Sequence, residues 1–372
     1  MTKKYSLFLT ILFCAFLGSM AVIGLLLPDA DFSPLENRYL QRPPRLSAEA
    51  VMDGTFMEDT ENYVSDHFPG RDFWVAAKTW SERLSGKKEN GGVYFAAQDI
   101  LINRVDPPDP VKLEQDIAYL DALVGNVSVP VYFGLIPSAA AIWSDRLPTG
   151  APTADEKDII EDLYFSTGAF PIDLYGALDA HSSEDIYYRT DHHWTSLGAF
   201  YGANALFEAM GLEGLDLLDY RPVTVSDQFY GTSFSTSGVR WLPPDSIETY
   251  IPDEGLQVTS WFKGTPEKGS LYVDSYLDVK DKYSYFLGGR QPLCVVEKQD
   301  SNGPRVLLIR DSYSDSLTPF LTERFSQVHL IDLRDNLTSI KGYVEENSID
   351  AVVVLYSFSN FVTEGNLFLL AR

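Results

Sequence analysis

Cysteine is nearly absent from this chain, and the shortage removes whole classes of protein. Of 372 residues only Cys14 and Cys294 are cysteines. Cys14 falls inside an apolar run, so no intramolecular disulfide can form in the rest. No Cys/His spacing resembles a zinc site, and there are just five histidines, His67, His181, His192, His193 and His329. Basic residues are short as well, with 29 Lys and Arg against 53 Asp and Glu and a net charge of −24. That balance argues against a nucleic-acid partner, whose phosphates need Lys and Arg. Repeats and low-complexity blocks are missing. With 45% hydrophobic and 22% charged residues, the composition is that of a folded protein, and the length suits one large domain or two modest ones.

One long apolar run is present. From about Ser6 to Leu27 it carries no charge, enough at about 1.5 Å per residue to cross a hydrocarbon core of roughly 30 Å. It is a membrane segment or an export signal. Lys3 and Lys4 place the leading end in the cytoplasm and send the remaining chain outward. Leu25-Leu-Leu-Pro-Asp offers no small-x-small cleavage site, which favours an uncleaved single-pass anchor, with Cys14 as a membrane-buried thiol. The expected organisation is a cytoplasmic tip and anchor over 1–29, a stalk and N-terminal helices over 30–90, and an extracytoplasmic catalytic domain over 91–372.

Pro28, Pro34, Pro43 and Pro44 stop the first helix and suit a stalk. Ala48 to about Leu84 reads as one or two helices broken at Asp66-His-Phe-Pro-Gly-Arg71. After a turn at Lys87–Gly92, Val93-Tyr-Phe and Ile100-Leu-Ile form a hairpin. Val111–Leu123 is helical, Val129–Pro137 a buried strand, Ile159–Phe165 a helix and Ile172-Asp-Leu a short strand. Thr195 or Ser196 caps a helix to about Met210, stopped by Gly211.

From 212 to about 292 Gly, Pro and Asp are frequent and aromatics recur, among them Tyr220, Phe229, Tyr230, Phe234, Trp241, Tyr250, Trp261 and Phe262. This is a β-rich or loop-rich insertion. Its aromatics could stack on sugar rings, but filling a helix-poor core is the more ordinary use. The carboxyl part alternates strand (Arg305–Ile309), helix (Thr318–Phe325), strand (Val328–Leu333), helix (Ile340–Asn347) and strand (Ala351–Tyr356). Apolar β-branched runs separated by helices predict an α/β fold with a parallel sheet flanked by helices.

Two stretches carry chemistry. Thr190-Asp-His-His-Trp-Thr-Ser-Leu-Gly198 packs a carboxylate, two imidazoles and an indole together. Asp191 and His193 are two apart, so in an extended or turn segment their side chains leave on the same side, as an imidazole and its orienting carboxylate require. In Val306-Leu-Leu-Ile-Arg-Asp-Ser-Tyr-Ser-Asp315 a buried strand delivers Ser312 at its carboxyl end, where its own amide can donate to an oxyanion. Ser312 is the candidate nucleophile, His193 the base and Asp191 the orienter. Strand alternation would put His192 on the face opposite Asp191, which assigns it to packing or to a supporting hydrogen bond. Asp191, His192 and His193 could hold a metal, but neighbours rarely converge on one ion and no distant ligand stands out, so no metal and no cofactor is expected. Trp194 either walls the site or anchors it in the core.

These stretches, with Asp66-His-Phe-Pro-Gly-Arg-Asp-Phe-Trp74, Phe229-Tyr-Gly-Thr-Ser-Phe-Ser-Thr-Ser-Gly238 and Tyr283-Ser-Tyr-Phe-Leu-Gly-Gly289, resemble the bacterial DHHW protein family from about Phe32 to the end. That family is similar to the periplasmic alginate O-acetyltransferases, whose catalytic domains resemble SGNH hydrolases. The resemblance implies an SGNH-like domain, with Asp191 and His193 as the Asp-x-His pair and Ser312 as the serine after the strand. Arg310-Asp-Ser stands where Gly-Asp-Ser is usual. Gly288, Gly289 and Arg290 are the nearest candidates for oxyanion or substrate contacts, with Trp194 and Tyr313 beside them. The implied activity is O-acetyl transfer to, or removal from, a cell-surface or exported polysaccharide. A glycan is then the acceptor and a membrane-bound O-acyltransferase the acetyl supplier. The competing reading is a non-catalytic glycan-binding or assembly protein with a vestigial triad.

Overall fold

The computed structural model describes residues 3–262 and 264–372. Residues 1 and 2, at the expected cytoplasmic tip, and Lys263, within the expected insertion, lie outside the described residues. The chain divides into two compact units, one running to Gly91 and including Phe234–Trp241, the other Gly92–Ser233 with Leu242–Arg372.

In the first unit, Lys3–Leu26 is a single helix of 24 residues with no buried side chain, long and apolar enough to cross a membrane. Ser47 Oγ accepts from Ala50 N and starts the helix Ala48–Met52. Thr55–Asp66 and Arg71–Leu84 follow as two helices. The break between them falls at the Pro69-Gly70 pair, where Gly70 takes a φ of 69° that a side chain would disfavour.

The second unit is a mixed α/β structure built on an eight-stranded sheet. Its strands are β1 (Val131–Ile136), β2 (Phe170–Pro171), β3 (Leu256–Phe262), β4 (Thr265–Gly269), β5 (Leu293–Lys298), β6 (Arg305–Arg310), β7 (Gln327–Ile331) and β8 (Ala351–Ser357). They lie in the order β4-β3-β5-β7-β6-β8-β1-β2. The five strands from β7 to β2 pair in parallel. β5, β3 and β4 extend that core antiparallel. The sheet is thus large and mostly parallel, and two strands of the aromatic-rich segment form one edge of it.

β6 and β8 sit at its centre. Val306, Leu307, Leu308 and Ile309 are each 0% exposed, and all seven residues of β8 are buried. Unbroken apolar runs of this kind fit strands covered on both faces, where alternation with polar residues would leave groups without water. The helices of this unit include α1 (Ser196–Ala209), α2 (Tyr313–Leu321) and α3 (Ile340–Asn347). Thr195 caps α1, its Oγ1 accepting from Gly198 N, and Gly211 takes a positive φ beyond its end.

α2 differs from the sequence expectation of a helix over Thr318–Phe325. It begins at Tyr313 and carries Pro319 inside it. Pro319 suggests a first-turn position, because its ring pre-sets φ and its missing N–H costs nothing there. The chain instead turns directly after β6, since Asp311 Oδ1 accepts from Tyr313 N at 3.0 Å and Asp311 O from Ser314 N at 3.2 Å. These bonds satisfy the first free amides of the helix and fix its start.

Candidate active site

The loop carrying the histidines is closed on itself. Tyr187 and Trp194 form an antiparallel bridge, and Tyr188 N donates to His193 O at 3.2 Å. Asp245, which is buried, accepts from Arg189 N, Thr190 N and Thr190 Oγ1. The loop is therefore held by its backbone, and the side chains of Asp191, His192 and His193 are left to the site.

Asp191 Oδ1 accepts from His193 N at 3.0 Å and from His193 Nδ1 at 2.5 Å. Its Oδ2 accepts from Thr232 N at 2.7 Å and Thr232 Oγ1 at 3.0 Å. Burial pushes this carboxyl upward, but the two imidazoles and these hydrogen bonds prevail and hold it below the usual carboxylate range. An ionised Asp191 fixes the proton of His193 on Nδ1 and leaves Nε2 as an acceptor. Nε2 lies 2.8 Å from Ser312 Oγ. The sequence-predicted trio Asp191, His193 and Ser312 is thus joined in one hydrogen-bonded chain, with His193 and Ser312 119 residues apart in sequence.

Ser312 occupies the position just before α2 and makes no capping bond with its hydroxyl. The hydroxyl is free for His193. Among the described residues its amide meets no acceptor either, whereas the next amide, Tyr313 N, is taken by Asp311. Asp311 is tied to the end of β8 and the residues after it, accepting from Ser357 N, Ser357 Oγ and Asn360 Nδ2 at 2.7–2.8 Å. It therefore anchors the serine turn and does not face His193.

Arg310 is 0% exposed. Its Nη1 pairs with Asp315 Oδ1 at 2.8 Å in the first turn of α2 and donates to Asp311 O at 3.3 Å. The large residue standing where glycine is usual turns back into the core, behind the serine. Burial raises Asp315 to about 7 against the opposing pull of Arg310.

Three rings lie against His193, that of Tyr313 at 4.8 Å and 48°. Tyr283 stacks on His193 at 3.8 Å between centroids and 13° between planes. His192 lies 3.9 Å from it at 36°. The segment is a turn, and His192 does not alternate to the far side as a strand would require. Its Nδ1 lies 3.6 Å from Asp191 Oδ1 and hydrogen-bonds Thr232 Oγ1 at 2.6 Å. Ligand atoms of Asp191, His192 and His193 come within 4.8 Å of one another, yet both oxygens of Asp191 and both Nδ1 atoms are engaged in the hydrogen bonds above.

The remaining candidates either brace the site from inside or lie outside its hydrogen-bonded chain. Trp194 is 0% exposed and donates Nε1–H to Tyr313 O at 2.9 Å and Ser316 Oγ at 3.0 Å, so it braces α2 from inside. Tyr313 is also buried, its hydroxyl donating to His192 O. Neither presents a face to solvent. Gly288 and Gly289 take φ of 80° and 81°, and Arg290 pairs with Asp335 at 2.7 Å. Among the described residues none of these three makes a hydrogen bond or ion pair with Asp191, His193 or Ser312. Sequence reasoning missed Thr232, Tyr283 and Asp245. The first two sit in stretches with a marked composition, but nothing local shows that they reach Asp191 or His193.

A mixed α/β unit with a mostly parallel sheet, whose central strand leads into a serine hydrogen-bonded to a carboxylate-held histidine, defines the class. The chain belongs to the DHHW protein family, whose defining sequence pattern matches residues 121–331. No curated protein matches it. Among solved structures it is similar to a DHHW family protein from Eubacterium siraeum DSM 15702, with 25% identity and a TM-score of 0.68 over 76% of this chain and 95% of that one. It is also similar in fold to Bacillus cereus PatB1, solved with a sulfonyl adduct, with 20% identity and a TM-score of 0.64 over 75% and 98% of the two chains.

Proposed function

We propose that this protein is a membrane-anchored, extracytoplasmic O-acyltransferase or esterase with an SGNH-hydrolase-like catalytic unit, acting on acetyl groups of a cell-envelope polysaccharide. The observation that carries the reading is the Asp191–His193–Ser312 chain, with Ser312 Oγ 2.8 Å from His193 Nε2. Support for the acetyl and glycan parts comes from the motif resemblance to the DHHW family, which is similar to the periplasmic alginate O-acetyltransferases.

His193 Nε2 takes the Ser312 proton as Oγ attacks the acyl carbonyl and the carbonyl electron pair moves to oxygen. The Ser312 amide donates to that oxyanion. Collapse expels the donor's leaving group, which takes the proton from His193, and an acyl-serine remains. An acceptor hydroxyl then gives its proton to His193 and attacks the acyl carbon. The bond to Ser312 breaks, and Oγ recovers the proton. With a sugar hydroxyl the outcome is transfer, with water hydrolysis. Lys3–Leu26 anchors the unit, and a membrane-bound O-acyltransferase supplies acetyl groups across the bilayer.

The test is turnover of a chromogenic acetyl ester by the full chain in detergent, with and without a glycan. Ser312→Ala and His193→Ala should each lower kcat by about 10³-fold or more, and the glycan should divert acetyl from water. Unchanged turnover in either variant removes this site. No turnover by the native protein with any of several acetyl donors removes the enzymatic reading.

A further inference from the structure

Two imidazoles draw on Asp191, and their tautomers can be worked out. Thr232 Oγ1 lies 3.0 Å from Asp191 Oδ2, and an ionised carboxylate only accepts, so the single hydroxyl proton of Thr232 goes to it. The 2.6 Å bond between Thr232 Oγ1 and His192 Nδ1 is then donated by the ring. A neutral imidazole has one N–H, which leaves His192 Nε2 as a bare acceptor. Partial burial, with the neighbouring His193 adding to it, lowers His192 below the usual imidazole value, so the ring is neutral near pH 7.

His193 is built the same way, with Nδ1 donating to Asp191 and Nε2 accepting from Ser312. The difference lies at the second nitrogen. Among the described residues His192 Nε2 has no hydrogen-bond partner, and its side chain is 31% exposed while that of His193 is 7% exposed. The protein thus presents a second neutral acceptor on a partly exposed side chain, 3.9 Å ring to ring from the base and unfilled by its own donors.

We propose that His192 Nε2 binds a second hydroxyl of the acyl acceptor, so that the site selects vicinal diols, the repeating feature of saccharides, over water and monohydric alcohols. The inference rests on the acyl-transfer reading above. One hydroxyl of the diol passes its proton to His193 Nε2 while its oxygen attacks the acyl carbon and the Ser312 ester bond breaks. The adjacent hydroxyl donates a hydrogen bond to His192 Nε2 and keeps its proton. His193 returns its proton to Ser312 Oγ, so nothing is gained or lost at His192, which acts as a binding residue.

The experiment follows nitrophenol release and acetylated product from nitrophenyl acetate, using the full chain in detergent micelles with propylene glycol, methyl glucoside or propanol as acceptor. Native protein should favour the diols over propanol by about tenfold, the worth of one well-made hydrogen bond. His192→Phe keeps a ring over His193 without an acceptor and should bring the preference close to one. His192→Gln carries an amide oxygen about where Nε2 stands and should retain most of it. Equal transfer to diol and propanol by native protein, or an undiminished preference in His192→Phe, overturns the inference while leaving acyl transfer standing. Absence of turnover by native protein with nitrophenyl acetate and with the other acetyl donors overturns the acyl-transfer reading and this inference with it.

Discussion

The ring of Tyr283 lies parallel to that of His193, 3.8 Å away, while its hydroxyl donates to Ser312 O at 3.1 Å and meets Ser316 Oγ at 3.0 Å. One buried side chain thus touches both His193, the proposed base, and the turn that carries Ser312. Its position against both suits it to fixing their mutual distance.

Tyr283→Phe keeps the stack and loses the hydroxyl bonds, and Tyr283→Leu loses both. The expected result is a fall in kcat of about tenfold for Phe and about 10²-fold for Leu, with KM little changed. Steady-state kinetics on an acetyl ester checks it. A purely structural role would lower thermal stability without this split between kcat and KM.

Gly231 leaves no room for a side chain, because a Cβ there would come within 2.2 Å of Asp191 Cβ and Oδ2. The backbone cannot retreat, since Gly231 N bonds Thr190 Oγ1 and Thr232 N bonds Asp191 Oδ2. Gly231→Ala should displace the carboxylate, lower kcat by about 10²-fold or more and cost about 1–3 kcal/mol in overpacking. Ester turnover and thermal melting measure the two effects separately.

Arg310 and Asp315 form an ion pair with side chains 0% and 2% exposed. Removing one partner strands the other charge in the core, so Asp315→Ala should cost about 3–5 kcal/mol. Arg310→Met combined with Asp315→Leu strands neither and should recover most of that loss. Denaturant unfolding of the three proteins tests this, and equal losses in the single and double variants would refute it.

Glu156 is 1% exposed and accepts from Ser138 N at 2.8 Å. Burial pushes its carboxyl from 4.5 up to about 7, against the Ser138 hydrogen bonds. Below about pH 4.5 folded and unfolded states both hold the proton, and the group costs nothing. As pH rises from about 4.5 to about 7 the unfolded chain releases it first, so this group's contribution to stability falls, then stays level. Glu156→Gln mimics the protonated form, so its stability relative to native should improve by about 3 kcal/mol across that window. Melting curves at several pH values read it, and a difference independent of pH would contradict the assignment.

Much of this was legible in the residues. Val306–Ile309 and Ala351–Tyr356 are unbroken apolar runs, and such runs declare central parallel strands. Asp191 and His193, two apart in a short polar loop, mark a carboxylate–imidazole pair. Ser312 at the end of a buried strand marks the candidate nucleophile. The start of α2 was hidden because Pro319 imitates a first-turn residue, while the bonds from Asp311 that open the helix depend on β8 fixing the Asp311 side chain.

Sequence by itself determined the elements and the chemical types, because periodicity, caps and apolar runs act over a few residues. It dictated that a buried strand would deliver Ser312 at its carboxyl end and that Thr195 or Ser196 would cap α1, and the structure chose Thr195. Only the tertiary structure decided which groups meet. Thr232 reaches Asp191 across 41 residues, Tyr283 covers His193, and Arg310 turns inward to Asp315. It also made His192 a neighbour of Asp191 and not its opposite, since a turn abolishes the two-residue alternation that a strand would have imposed. These contacts depend on where separate segments pack against one another, and local sequence carries no record of that.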